Sequence, residues 1–140
     1  MKLKYMLTSL VLLSAALAEA KMITLADCKA TSGRAVYSKV ILQRDDQLPF
    51  DKNLTVIATK NVAGSLDTEI KKLDYGFDSN PTGLRLKLHD DSKSTDYLFS
   101  STIGGNFSGK GGTKVYAISI EDKQKAEGSL GSQLEFLSCK

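Results

Sequence analysis

The chain has two cysteines, Cys28 and Cys139, and they stand close to the two ends of the portion that lies beyond an N-terminal leader-like stretch. In an exported chain an even pair reads as a disulfide, because that compartment is oxidising. Such a bond closes a loop of about 110 residues and, in the chain-entropy model, stabilises the fold by roughly 4 kcal/mol. It also constrains architecture: the first and last elements of the domain must lie side by side.

Export is read from the first twenty residues. Lys2 and Lys4 precede an apolar run from Leu10 to Leu17, which ends in Ala18-Glu19-Ala20, a small-x-small triplet of the kind signal peptidase cleaves after. Residues 1–20 are therefore expected to be a signal peptide and 21–140 a single β-domain. The apolar run is too short for a helical membrane span, which needs roughly 20 apolar residues. Leu25-Ala26-Asp27-Cys28 has the outline of a lipoprotein signal, but Asp27 occupies a position that calls for a small uncharged residue, and the cysteine stands well past Ala20. The expected location is periplasmic or extracellular, and the expected state a monomer. Lys and Arg total 19 against 16 Asp and Glu, spread without a basic run, so the charge pattern does not point to nucleic acid.

Hydrophobic alternation points to strands throughout. Leu84-Arg85-Leu86-Lys87-Leu88-His89 alternates strictly, placing three leucines on one face. The turn-forming run Asp90 to Ser94 and then Tyr97-Leu98-Phe99 complete a hairpin. Further candidates are Ile23 to Lys29, Ala35 to Arg44, Leu54 to Lys60, Ile70 to Phe77 with a bulge suggested by Gly76, Thr113 to Ile120, and a closing strand from Gln133. The connections, such as Asn61 to Asp67 and Asp78 to Gly83, carry the Asp, Asn, Gly, Ser and Pro that turns require. Eight short strands predict an all-β fold: a single antiparallel up-and-down β-barrel closed by Cys28–Cys139, with a two-sheet β-sandwich as the alternative. Lys39, Lys60, Lys71, Lys72, Arg85 and Lys87 within the strands, and the absence of tryptophan, argue against an outer-membrane barrel.

Catalysis has little raw material. His89 is the sole histidine, so neither a metal site nor a triad finds its remaining members, and no Gly-x-Ser-x-Gly elbow occurs. Asp90, Ser92, Ser94 and Asp96 begin like a calcium loop, but the glycine and glutamate that such a loop needs further on are missing. No metal and no cofactor are expected. A hydrolase would have to work through carboxylates such as Asp90, Asp96 or Glu135. Asn53 and Asn106 head glycosylation triplets that matter only in a eukaryotic source.

The unusual stretch is Gly104 to Gly112, which holds Phe107, Ser108 and Lys110 among five glycines. Its start matches a phosphate-binding loop, yet Gly111 replaces the hydroxyl residue and a strand, not a helix, is expected to follow. The remaining readings are a loop folded back on the barrel end, or one that presents an aromatic and a cation to a partner. Ser108-Gly109-Lys110-Gly111-Gly112 resembles the Ser-Gly-x-Gly-Ala-x-Tyr loop of bacterial periplasmic inhibitors of c-type lysozyme, which are small disulfide-tied β-barrels. Here Gly112 replaces the alanine, Lys114 stands in place of the tyrosine, and Tyr116 follows two positions late. The resemblance implies an inhibitory loop.

The expected function is thus a non-catalytic binding or inhibitory module acting through loop 104–112, with Phe107, Ser108 and Lys110 as contact residues and a protein as partner. The alternative is a lipocalin-like carrier of a small apolar ligand in the barrel interior, and the third reading a carboxylate-based hydrolase.

Overall fold

The computed structural model describes residues 21–33, 35–48, 54–73, 85–101, 114–123 and 133–140. They form eight strands: β1 (Met22–Ala30), β2 (Tyr37–Asp45), β3 (Leu54–Val62), β4 (Ser65–Leu73), β5 (Arg85–Asp90), β6 (Thr95–Ser101), β7 (Val115–Asp122) and β8 (Gln133–Cys139). All pairings are antiparallel, and the order across the sheet is β4-β3-β2-β1-β8-β7-β6-β5. The fold is the expected all-β meander, built as one strongly curled sheet, a half-barrel. Its first and last strands are neighbours, as the cysteine pair requires.

Each strand contributes alternate residues to one interior. Leu86 and Leu88 of β5 face inward while Lys87 and His89 face outward, as the alternation predicts. Val40, Leu42, Val56, Phe99, Ile118 and Leu137 join them, each no more than 2% exposed. A bulge between Thr24 and Ala26 lets both Leu25 and Ala26 enter the core. On the outside, Ile41, Ile57 and Ile70 form one row across β2, β3 and β4.

The two halves of the sheet meet unevenly. The β1–β8 ladder holds three residue pairs, Cys28 with Cys139, Lys29 with Ser138 and Ala30 with Leu137, whereas β3–β4 holds nine. The Cys28–Cys139 disulfide reinforces this short ladder. The opposite edges, β4 and β5, approach each other, yet no backbone ladder joins them among the described residues.

One boundary differs from expectation. The stretch Asn61 to Asp67, read as a loop, contains only a two-residue turn. Val62 pairs with Ser65, and Ala63 and Gly64 adopt φ of 51° and 87°. Positive φ at both central residues is what a tight hairpin with the right twist demands. Asn61 Oδ1 accepts the Gly64 N–H at 3.1 Å. β4 therefore begins at Ser65 rather than Ile70. Its first four residues are all exposed, so neither face is marked apolar and the alternation signal is lost. Gly76 lies outside the described residues.

Candidate functional site

Inward-facing positions change character along the half-barrel. At the end where β2, β4, β6 and β8 begin, the interior is lined by Tyr37, Lys60, Glu69, Lys71, Asp90 and Glu135 instead of leucines and valines. Burial of this many polar groups requires partners, and the partners are specific.

Glu135 Oε1 and Oε2 accept the backbone N–H groups of Val36 and Tyr37, each at 2.9 Å. This carboxylate, a candidate for hydrolytic machinery by residue type, is engaged in holding the start of β2 against β8. Asp90, 2% exposed, accepts hydrogen bonds from Lys71 Nζ and, through Oδ1, from the Ser92 hydroxyl at 2.7 Å and the Ser92 N–H at 3.1 Å. Burial pushes its carboxyl up, but Lys71 and Ser92 outweigh burial and hold it below the ordinary carboxylate range. Lys71 also donates to the Ser92 hydroxyl at 3.0 Å. Glu69 lies 3.6 Å from both Lys71 and Lys93.

Two aromatic rings sit beneath this polar layer. Tyr37 and Tyr97 pack edge to face, with centroids 6.3 Å apart at 85°. Burial drives the Tyr97 hydroxyl well above its ordinary range, and the neighbouring Tyr37 adds to the effect. Lys60 Nζ stands 4.9 Å from the Tyr37 ring centroid, a cation over an aromatic face. Burial pushes the Lys60 ammonium down, while Tyr37, Glu69 and Asp122 prevail and raise it. The Tyr37 hydroxyl interacts with Lys60 and Tyr97, and Glu69 Oε2 is the atom that faces Lys71.

A second charged cluster lies on the outer face of β5, β6 and β7. Asp96, 4% exposed, is covered by three cationic or imidazole groups: His89 Nδ1, Lys87 Nζ at 3.2 Å and Lys123 Nζ at 2.8 Å. Burial raises its carboxyl, but Lys123, His89 and Lys87 together hold it down at about 2. His89 Nε2 reaches Asp91 at 3.2 Å. His89 is thus fully engaged by two carboxylates, and no group of metal-ligating side chains occurs among the described residues. Beside this cluster lies a shallow cavity of about 220 Å³ lined by Lys87, Asp96, Leu98, Ser119, Glu121 and Leu134. Leu134 and Phe136, alternate residues on the outer face of β8, are 53% and 64% exposed.

No protein family, curated protein or solved structure matches the chain. Phe107, Ser108 and Lys110, and with them the stretch resembling the lysozyme inhibitors, lie outside the described residues, as do Asn53 and Asn106. The predicted disulfide is present, which is compatible with an oxidising extracellular or periplasmic location. No helix among the described residues is long and apolar enough to cross a membrane.

Sequence reasoning missed Tyr37, Lys60, Glu69 and Lys71 as a group. A signal existed in the spacing Glu69-x-Lys71-x-Leu73, which places two charges on the face of a buried leucine, but it is visible only once β4 is known to begin before Ile70.

Proposed function

We propose that this protein is a non-catalytic binding protein of an oxidising, extracytoplasmic compartment, and that it engages a protein partner with its outer surface. The observation that carries this reading is the pair Leu134 and Phe136. Both are exposed on the solvent face of an antiparallel strand, next to the cavity floored by Leu98 and rimmed by Lys87, Asp96 and Glu121. Large exposed apolar side chains rimmed by paired charges have the make-up of a protein-binding patch. The glycine loop with Phe107, Ser108 and Lys110 is the second proposed contact.

Two features favour this reading over its rivals. Among the described residues, side chains from Leu42 and Leu54 to Tyr97, Phe99 and Ile118 pack into the interior, where a carrier would need space. Asp90 and Asp96 are held ionised by cations, whereas a hydrolytic general acid needs a raised carboxyl.

The test is capture of partner proteins from the extracellular or periplasmic fraction by the oxidised domain, followed by affinity measurement on variants. Phe136→Ser and Phe107→Ala should each weaken binding by roughly tenfold or more, in line with the burial of a large aromatic. Unchanged affinity in both variants would overturn the reading. A co-purifying apolar ligand in native mass spectrometry would replace it with the carrier.

A further inference from the structure

The edges of the curled sheet are joined by side chains instead of backbone. β4 and β5 share no ladder among the described residues, while Lys71 of β4 binds both Asp90, the last residue of β5, and Ser92 in the adjoining turn. Lys93 of the same turn reaches Glu69 of β4 at 3.6 Å. These contacts cluster at the polar end of the half-barrel. On the far side of the sheet, the β1–β8 junction is fixed by Cys28–Cys139.

Little apolar burial opposes separation at this end. The hairpin of β3 and β4 extends outward with Asn61 to Thr68 largely exposed, and its inward side chains nearest the seam are Lys60, Glu69 and Lys71. A segment with few apolar contacts and exposed edges belongs to the low-stability part of a fold.

We infer that Lys71 and Asp90 form an ionic latch, and that its release lets the outer half of the β3–β4 hairpin swing from the β5–β6 turn while the disulfide-tied centre stays folded. The other charged groups near the seam include Glu69 on β4, Lys93 in the turn, Lys60 on β3 and Asp122 on β7. Tyr97 and Tyr37 lie beneath them. The motion would carry Lys60, Glu69 and Lys71 into solvent at one end of the barrel and leave Tyr97 and the leucine-rich end closed.

The experiment places nitroxide labels on L66C and D91C of the full oxidised chain and reads their distance distribution, with strand content followed by circular dichroism. Leu66 is 70% exposed and the Asp91 side chain 99% exposed, so labels there leave the core intact. The double variant Lys71→Met/Asp90→Asn removes both latch partners together, so neither is left buried and unpaired. It should show a second, longer distance in on the order of a tenth of the molecules or more, with strand content unchanged. Lys71→Arg, which keeps the pair, should show the parental distance. A double variant with the parental distribution overturns the latch. So does one that lengthens only as strand content is lost, because the pair would then be holding the whole fold.

Discussion

Cys28 and Cys139 are bonded to each other and are also directly opposed residues of the β1–β8 ladder, so the covalent link lies within the sheet and reinforces its shortest junction. The bond therefore does two things at once: it restricts the unfolded chain, and it secures the ladder that makes one sheet of two four-stranded meanders.

Removing the bond by Cys28→Ser together with Cys139→Ser should lower stability by about 2–4 kcal/mol. Urea unfolding of the oxidised and double-serine proteins measures it. Equal midpoints would show that the three-pair ladder is sufficient alone.

Asp96 makes stability depend on pH in a defined window. Its carboxyl lies at about 2 in the folded protein against an ordinary 3.8, so the unfolded chain takes up protons first as pH falls. The stabilisation is complete above the unfolded value and is lost between about pH 4 and pH 2. Because Lys87 and Lys123 are partly exposed, solvent screening reduces the effect to about 1–2 kcal/mol. Asp96→Asn should cost that much at pH 7 and flatten the stability profile across the window, as followed by urea unfolding at several pH values. A parallel downward shift at every pH would refute the assignment.

Tyr37→Phe should destabilise the protein by about 1 kcal/mol. It removes a buried hydroxyl that interacts with Lys60 and Tyr97 while keeping the ring against Tyr97 and beneath Lys60. Thermal melting is a sufficient readout. An unchanged or higher melting temperature would mean that the hydroxyl adds nothing to the folded state.

Glu135→Ala should cost about 1–3 kcal/mol, since two N–H groups at the start of β2 lose a charged acceptor. Glu135→Gln, with one carbonyl oxygen for two donors, should fall between. Amide exchange at Val36 and Tyr37 should accelerate in both. If exchange there is unaffected, the carboxylate is not what orders this segment.

Phe136→Ser should change stability by less than about 0.5 kcal/mol, because the ring is 64% exposed. Phe99→Ala, at a fully buried position, should cost about 3–5 kcal/mol. Chemical denaturation of both variants separates a surface aromatic from a core one. A large loss with Phe136→Ser would place that residue in the packing and remove it from the proposed interface.

The count of eight strands, their antiparallel order and the disulfide were legible because each rests on local or pairwise information. Leu86 and Leu88 alternate with Lys87 and His89, turn residues separate the runs, and two cysteines have only one way to pair. The start of β4 was not legible, because the first four residues of this edge strand are exposed on both faces and carry no hydrophobic period. The polar end of the half-barrel depends on register across strands distant in sequence. Glu135 meets the Tyr37 N–H 98 residues away, and Asp90 meets Lys71 across a seam without backbone pairing. No spacing within one strand encodes such meetings. Single residues carry their chemistry in the sequence, but which charges neutralise each other, and which are left at a surface, is decided only when the sheet curls and brings its edges together.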